Sequence, residues 1–450
     1  MKTNARRKYW NPRVEEKLGT GELDPLRLRR LKKALIYFKE KSPFYRRRFK
    51  RARFNPEKIN RFSDMKHLPP LTKEDIRESQ NESMERSGHP YGAHLTIGQE
   101  EIRLLAATSG TTGEPTFYVF GERDLEQWCE IRSRQLWRTG LRPGDSIMIA
   151  FGLGMFVGGV PNVIAARHFG LQCVPVGAEG GSGKVLRFMR LTRPRAMLAT
   201  PSLAKLLVEK SREDGGETVD RLGMDRLILG GETGAGVPEV RKFLTENYNA
   251  EVFDLQGPNI SCRLKEYAGM HRVGEDHYLY EIVEPRTGEP LPNEDGVEGE
   301  VLITHLFGSA APFVRYAPGD VHRIYLSPCR CGMSGSRTMI VGRTDDMLKV
   351  KGVIVYPSAV ADVVASAGKK ITGEFRIVLK EKPPLVTDTL KIMVEAGKKL
   401  PHGKWGDLAG ELKRLLKGKT GVTSDVDVVA PGTFTRSGHK TGVFIKEYED

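Results

Sequence analysis

The run Arg226-Leu227-Ile228-Leu229-Gly230-Gly231 is a short apolar segment that ends in two glycines. Two similar runs come before it, at residues 146–151 and 196–200. Each run has the length of a buried strand, and a stretch with helical character follows each one. These stretches lie around residues 155–169, 202–213 and 237–248. Alternating strands and helices are typical of βαβ units, so the sequence predicts an α/β fold whose mostly parallel sheet is covered by helices.

A loop rich in glycine and hydroxyl groups lies upstream, between apolar runs at 104–107 and 117–120. Its sequence is Thr108-Ser109-Gly110-Thr111-Thr112-Gly113-Glu114-Pro115-Thr116. Glycine lets backbone N–H groups approach an anion, and serine and threonine add further donors. The pattern therefore predicts strand, phosphate-binding loop, strand, with a plain polar hairpin as the structural alternative. The loop lacks the Gly-Lys-Ser/Thr ending of a Walker loop, which argues against an ordinary P-loop.

Composition limits the class of protein. The chain of 450 residues is long enough for two or three domains, and its five cysteines are too few and too irregular for a disulfide framework. No apolar run has the length of a membrane span, and the charged N-terminus does not resemble a signal peptide. We therefore expect a protein of the reducing cytoplasm.

The net charge of +14 comes from one segment, because residues 1–60 hold 20 Lys and Arg against 6 Asp and Glu. This basic segment is either a solvated helix face or a surface that attracts an anionic partner. No nucleic-acid motif accompanies it, so nucleic acid is not the expected partner. The segment is helical in character and is also a candidate surface for a homodimer.

The sequence divides into three parts. Residues 1–86 form a helical, basic N-terminal segment that belongs to the large domain, with Leu28, Leu31, Leu35 and Phe38 on one helix face. Residues 87–344 form the α/β core. Residues 345–450 form a small α+β domain, because strand-like runs at 375–379, 390–394 and 426–429 surround a basic helix at 404–417.

Six segments, in order, resemble the phenylacetate–CoA ligase family of the adenylate-forming superfamily, and the resemblance covers essentially the whole chain. They are residues 42–46 with 68–73, the loop 108–116, the glycine-rich segment 151–159, Arg315-Tyr316-Ala317-Pro318-Gly319-Asp320, the hinge-like segment 342–352, and Arg436-Ser437-Gly438-His439-Lys440.

The resemblance implies a reaction in two steps and a set of residues that serve it. A carboxylate attacks the α-phosphate of ATP, giving an acyl-adenylate and pyrophosphate, and the thiol of coenzyme A then displaces AMP. Asp320 is expected to bind the ribose hydroxyls, Arg343 and Lys440 to act in catalysis, and Asp345 to be the hinge of a mobile C-terminal domain. The other nucleotide-binding residues implied are Thr108, Ser109, Gly110, Thr111, Thr112, Gly113, Gly231, Glu232, Gln256 and Gly257. ATP/AMP, Mg²⁺ and coenzyme A are the implied cofactors; the acid itself cannot be read, although residues 151–160 and 230–233 are expected to shape its pocket.

The chain departs from this family at two positions. Gln256 stands where an aromatic residue usually stacks on adenine, and Ile260 stands where a glutamate usually helps to hold Mg²⁺. Since isoleucine cannot coordinate a cation, three interpretations stay open. Glu232 or Glu266 replaces the missing ligand, or the nucleotide and metal geometry is altered, or the protein is a nucleotide-binding paralogue with impaired catalysis. An adenylyltransferase of the coenzyme F390 synthetase type is a further alternative.

A second candidate site consists of cysteines and a histidine. Cys329-Arg330-Cys331 places two thiolates on one tight turn, and Cys262 and His271 lie upstream. Three thiolates and one imidazole form the Cys₃His tetrahedron of a structural zinc. The alternatives are reduced cysteines in a small core, or His277 in place of His271, while Cys129 and Cys173 are expected in the core.

Overall fold

The computed structural model describes residues 7–108, 116–232, 234–351, 353–381, 383–434 and 443–448. Its helices are α1 (Pro12–Glu15), α2 (Asp24–Lys41), α3 (Pro43–Arg51), α4 (Lys73–Ser87), α5 (Glu122–Arg138), α6 (Val160–Phe169), α7 (Gly181–Thr192), α8 (Pro201–Glu213), α9 (Pro238–Tyr248), α10 (Pro357–Ser366) and α11 (Trp405–Thr420). The first ten strands are β1 (Leu104–Thr108), β2 (Thr116–Phe120), β3 (Ser146–Ile149), β4 (Gln172–Pro175), β5 (Ala196–Ala199), β6 (Arg226–Gly230), β7 (Glu251–Gln256), β8 (Asn259–Ser261), β9 (Met270–Arg272) and β10 (Tyr278–Val283). The later strands are β11 (Glu298–His305), β12 (Asp320–Tyr325), β13 (Arg337–Arg343), β14 (Leu348–Val350), β15 (Val353–Val355), β16 (Ile371–Leu379), β17 (Leu385–Val386), β18 (Leu390–Ala396), β19 (Ser424–Val429) and β20 (Phe444–Lys446).

A large sheet forms the centre of the molecule, with strand order β10-β11-β12-β13-β9-β8-β7-β6-β5-β3-β4. Strands β4, β3, β5, β6 and β7 pair in parallel, as predicted from the alternating runs. The α/β fold is thus confirmed. The glycine at 257, with φ +49°, turns the chain back after β7, and the strands beyond this hairpin extend the sheet in antiparallel pairing.

One predicted helix begins later than expected. The helix placed around 155–169 starts at Val160, because Met155 has a φ of +50° and Phe156 forms an isolated β-bridge with Ala107, so the chain before Val160 is not helical. A Cβ atom on Gly159 would lie 2.1 Å from the carbonyl oxygen of Gly152. Glycine is therefore required where this segment approaches its own upstream backbone.

Strands β1 and β2 form a separate antiparallel pair that frames the hydroxyl-rich loop. Thr108 and Thr116 face each other at its open end. This confirms the strand–loop–strand prediction for the two flanks, while residues 109–115 between them lie outside the described residues.

The N-terminal helices pack on the large sheet. Leu31, Leu35 and Phe38 of α2 are fully buried, in one cluster with Leu279 and Tyr316 of the core. Helix α4 begins at a capping box, in which Thr72 Oγ1 accepts from the Asp75 backbone N–H at 3.1 Å. The basic segment thus buries its apolar face against the core and directs its charges outward.

The C-terminal part contains a four-stranded sheet of order β19-β18-β16-β20 and a three-stranded sheet of order β15-β14-β17. Its own apolar cluster includes Val360, Ile377, Ile392 and Leu412, all fully buried. Among the helices of the described residues, none is both long and apolar enough to cross a membrane.

Candidate active site

The parallel strands β5, β6 and β7 end at one edge of the sheet, and polar residues follow each of them. Thr200 Oγ1 accepts from the Leu203 backbone N–H at 3.2 Å, and Glu232 Oε1 accepts from the Ser202 backbone N–H at 2.6 Å. Both side chains therefore cap α8, whose positive N-terminal end stabilises the Glu232 carboxylate. Ligands in sheets of this kind bind at this edge.

Gln256, at the end of β7, connects this edge to the antiparallel half of the sheet. Its Nε2 donates to Asp320 Oδ2 at 3.0 Å. Asp320 begins β12 and lies directly opposite Arg343 at the end of β13, whose Nη1 donates to Asp320 Oδ1. The Asp320 carboxylate is thus fixed in orientation by an amide on one side and a guanidinium on the other.

Arg343 is a partly buried, permanently charged group. Its Nη2 donates to the Pro318 carbonyl at 2.9 Å and to Asp345 Oδ2 at 3.2 Å. Burial lowers the pKa of Arg343, but the nearby Asp320 and Asp345 carboxylates raise it by a larger amount. The pKa of Arg343 therefore lies above its ordinary value. A fixed cation of this kind suits a site at which negative charge develops on phosphate.

The N-terminal segment contributes one further cation. Lys73 Nζ, in the first turn of α4, lies 2.6 Å from Asp345 Oδ2. Because Asp345 follows β13 immediately, this ion pair joins the large domain to the start of the hinge-like segment. Glu300, on β11, is close by: burial and the charge of Asp345 raise its pKa to about 7.

Several residues expected at the site cannot be placed. Ser109, Gly110, Thr111, Thr112, Gly113 and Lys440 lie outside the described residues, as does the side chain of Thr108. The described parts do bring together Gly231, Glu232, Gln256, Gly257, Asp320 and Arg343 around the ends of neighbouring strands.

The segment expected to bind Mg²⁺ does not provide a carboxylate. Ile260 is 1% exposed and packs in an apolar cluster with Ile149 and Leu255. Glu266 lies in the loop after β8, which runs antiparallel to β7 and therefore ends at the opposite edge of the sheet, where Glu266 is exposed and paired with Arg330 at 2.7 Å. Of the two carboxylates expected to replace the missing ligand, only Glu232 is at the edge of the sheet, and it already caps α8.

The predicted cysteine–histidine site is assembled. One ligand atom from each of Cys262, His271, Cys329 and Cys331 lies within 4.8 Å of all the others. Cys262 Sγ and Cys329 Sγ are 3.9 Å apart, close to the edge of about 3.8 Å between two thiolates that each lie 2.3 Å from zinc. His271 Nδ1 is 3.0 Å from the Ser334 carbonyl oxygen, to which it donates, so that Nε2 faces Cys331 Sγ at 3.3 Å. The donor set and its spacing fit a tetrahedral zinc ion.

Two open spaces adjoin the strand ends. A cleft of about 1170 Å³ lies between the large domain and the C-terminal part, lined by Glu232, Asp254, Arg263 and Tyr356 among others. Burial raises the pKa of Asp254 in this cleft to about 6. A smaller cavity of about 190 Å³ lies behind β2, with a mostly aromatic and aliphatic lining.

The structure identifies site residues that the sequence analysis missed. Tyr118 and Tyr316 share a hydrogen bond and line the smaller cavity beside the charges of Asp320 and Arg343. Arg132, on α5, is buried in the same lining. The signal for Arg132 was its position on the apolar face of its helix, four residues from both Trp128 and Leu136.

Comparison with known proteins points to one family. Residues 352–447 match the family model of the AMP-binding enzyme C-terminal domain. The phenylacetate-coenzyme A ligase of Thermus thermophilus is 31% identical over 443 residues, which cover 94% of this chain and 96% of that protein.

Solved structures agree and distinguish two domain arrangements. The crystal structure of 2-hydroxyisobutyryl-CoA ligase in the postadenylation state superposes with a TM-score of 0.90 at 27% identity, covering 99% of this chain and 94% of that one. The same enzyme in the thioesterification state gives a TM-score of 0.71 at 28% identity, covering 99% and 93%. The present domain arrangement is therefore more similar to the postadenylation structure.

Proposed function

This chain belongs to the phenylacetate–CoA ligase family of adenylate-forming enzymes, and from that membership we propose that it activates a carboxylic acid with ATP and transfers the acyl group to coenzyme A. It is an AMP-forming acyl-CoA ligase. The observation that carries the proposal is the Gln256–Asp320–Arg343 arrangement at the strand ends, in a chain that matches acyl-CoA ligases over almost its whole length.

In the first step, the acid's carboxylate oxygen attacks the α-phosphorus of ATP, and the bond to pyrophosphate breaks. The Asp320 carboxylate, which Gln256 and Arg343 hold in place, accepts hydrogen bonds from the ribose hydroxyls. Arg343 stabilises the negative charge that develops on the transferring phosphate. We also assign Lys440 to stabilising this negative charge, and residues 108–113 to binding the β- and γ-phosphates of ATP. ATP brings Mg²⁺ with it, and Ile260 supplies no ligand for that ion.

In the second step, the coenzyme A sulfur attacks the acyl carbonyl and AMP leaves. We place coenzyme A in the large cleft, where Arg241, Arg263, Lys265 and Lys419 provide positive charge for its phosphates. Residues 345–450 serve as the mobile lid, with Asp345 as hinge, over a large domain made of the 1–86 segment and the 87–344 core. The ion pair of Lys73 with Asp345 belongs to the arrangement of the first step and must open before the second.

Three finer assignments accompany this function. The Cys262–His271–Cys329–Cys331 cluster binds a structural zinc ion, since a closed set of four ligands leaves no open coordination position for catalysis. The enzyme works in the cytoplasm, where ATP and coenzyme A are supplied and where these thiols stay reduced. The exposed side of the basic N-terminal helices is the candidate surface for a homodimer.

The test measures the two half-reactions separately. With a panel of carboxylic acids, we expect acid-dependent exchange of pyrophosphate into ATP, followed by AMP release that requires coenzyme A. ATP binding without exchange for any acid would contradict the proposal and favour the nucleotide-binding paralogue. Exchange without any coenzyme A-dependent AMP release would favour the F390 synthetase type of adenylyltransferase, which the similarity to acyl-CoA ligases does not favour.

A further inference from the structure

The small cavity behind β2 contains a buried cation that has no anionic partner within the described part of the chain. Arg132 is 8% exposed, and burial lowers its pKa to about 10, so its guanidinium stays charged at neutral pH. Among the described residues, no carboxylate forms an ion pair with it. Its Nη1 donates to Gln135 Oε1 at 2.7 Å and to the Gly257 carbonyl at 3.1 Å, while its Nε finds no hydrogen-bond partner in the described ranges of the chain. A buried charge without a counter-ion is costly to the fold, so its presence needs a reason.

The other titratable groups of the cavity do not neutralise Arg132. Asp124 is eight residues away on α5, about 12 Å along the helix axis. Its carboxylate accepts from Ser309 Oγ at 2.6 Å and from the Ala310 backbone N–H at 3.0 Å. Burial lowers the pKa of His94 to about 4 and that of His305 to about 3, so both rings are neutral. Arg132 is thus the one cation lining this cavity in the described part of the chain.

The cavity has the size and lining of an acyl pocket, although Val157 is the only described residue of the segments 151–160 and 230–233, which the sequence predicted to shape that pocket, that lines it. Its volume of about 190 Å³ exceeds the cavity of about 150 Å³ that admits benzene in another protein. Aromatic and aliphatic side chains form most of its lining, including Phe117, Trp128 and Phe313, which suits an apolar body and not a polyphosphate. Trp128 also offers an indole N–H without a partner, and its ring lies 4.5 Å from the Arg132 guanidinium.

The cavity adjoins the nucleotide-binding group. Tyr118 and Tyr316 line it and interact with the charges of Asp320 and Arg343. Gly257, which also lines it, is the neighbour of Gln256. An acid whose carboxylate reacts near Arg343 can therefore extend into the cavity toward Arg132.

We propose that this cavity holds the apolar body of the substrate acid and that Arg132 binds a second anionic group at its far end. The substrate class is then a compact dicarboxylic acid, of which one carboxylate is activated and the other is bound by Arg132. This rests on the proposed function and narrows it.

The test uses acids that differ only at the distal position: phenylacetate, and the same acid with a para carboxylate or an uncharged para carboxamide. In pyrophosphate exchange, we expect the wild-type kcat/KM for the carboxylate to exceed that for the carboxamide by about tenfold or more. Arg132→Met should remove this preference by slowing the dicarboxylate far more than it changes the rate with phenylacetate. Arg132→Lys, which keeps a charge, should retain part of the preference.

Ser133→Ala is the matched control. Ser133 is the next residue of α5 and is buried, but it is not among the described residues that line the cavity, so its replacement should leave the preference among the three acids unchanged. A second measurement is the thermal shift produced by unreactive acyl-sulfamate analogues of the same acids. Arg132→Met should lose the extra shift given by the para carboxylate, and without ligand its Tm should not fall.

The outcomes separate this inference from the proposed function. Exchange with simple acids, but equal kcat/KM for the carboxylate and carboxamide, overturns the inference and leaves the ligase function intact. An equal loss of kcat/KM for all three acids in Arg132→Met also overturns the inference, because Arg132 would then only stabilise the turn after β7. Absence of exchange with any acid overturns the proposed function itself.

Discussion

At the scale of single residues, the Asp320 carboxylate is the group that connects the other residues of the site. It receives a hydrogen bond from Gln256 at 3.0 Å and an ion pair from Arg343, two residues that lie far apart in the sequence. Gln256 occupies the position where an aromatic residue was expected, and it has become an orienting donor instead. In the proposed site, an amide that orients Asp320 thus takes the place of the expected aromatic residue.

Removing the Arg343 charge should slow the first half-reaction. Arg343→Gln keeps a hydrogen-bond donor but not the cation, so we expect pyrophosphate exchange to fall by about 10²–10³-fold with little change in Tm. Arg286→Gln, at an exposed arginine that pairs with Glu284 at 3.3 Å, is the control and should retain wild-type exchange. If pyrophosphate exchange falls less than threefold in Arg343→Gln, then Arg343 has no catalytic role in this step.

Glu300 should make stability depend on pH. Burial and the charge of Asp345 raise its pKa from 4.5 to about 7, so the folded protein binds a proton that the unfolded chain releases. Stability from this proton is complete below about pH 4.5 and is lost as the pH rises through about 7. Glu300→Gln should therefore raise Tm at about pH 8 and leave it unchanged at about pH 4.5.

Glu298→Gln serves as the comparison for that measurement, since Glu298 lies on the same strand but pairs with Arg323 at the surface. Its Tm should follow the wild-type pH profile. If Glu300→Gln also follows the wild-type profile from about pH 4.5 to 8, then the carboxyl group titrates normally and the assigned shift is wrong.

At the scale of elements, the cysteine–histidine cluster connects separate strands of the sheet. His271 lies on β9, Cys262 follows β8, and Cys329 and Cys331 lie on the turn between β12 and β13. Since β9 pairs with both β8 and β13, a metal ion here would fix the antiparallel half of the sheet, which also carries Asp320 and Arg343.

We expect one zinc ion per chain by elemental analysis. Cys329→Ser should abolish it and lower Tm by about 5 °C or more, because metal binding contributes directly to folding. Cys173→Ser, at a cysteine outside the cluster, should keep the zinc and a nearly unchanged Tm. Purified protein without zinc whose Tm is insensitive to added zinc would show that these are simply reduced cysteines.

At the scale of the whole molecule, the large cleft separates the C-terminal part from the core, and Asp345 lies at the connection between them. The arrangement is more similar to 2-hydroxyisobutyryl-CoA ligase in the postadenylation state than to the same enzyme in the thioesterification state, so the proposed mobile lid predicts a different placement of residues 345–450 in the second half-reaction. Such a change concentrates in the few backbone angles of the hinge.

Asp345→Pro should separate the two steps. Proline fixes φ, so the hinge should keep one arrangement; we expect coenzyme A-dependent AMP release to fall at least about tenfold more than pyrophosphate exchange. Asp345→Ala loses the same ion pair with Lys73 but keeps backbone freedom, and it should affect both steps far more evenly. Equal losses in the two steps for Asp345→Pro would place the hinge elsewhere.

The sequence by itself determined the α/β class, the order of the strands in the chain and the family. These follow from local signals: apolar runs of strand length and motifs of neighbouring residues. It also determined the identity of Asp320, Arg343 and the four zinc-ligand candidates, because each lies in a short motif whose chemistry is set by residue type.

Only the tertiary structure decided which groups meet. Gln256 contacts Asp320 because the hairpin after β7 reverses the chain, and Lys73 meets Asp345 across 272 positions of sequence. It also placed Glu266 at the opposite edge of the sheet from Gln256, and it showed that no carboxylate among the described residues pairs with the buried Arg132. Burial and the absence or presence of a counter-ion depend on packing between distant segments, which no local pattern of residues specifies.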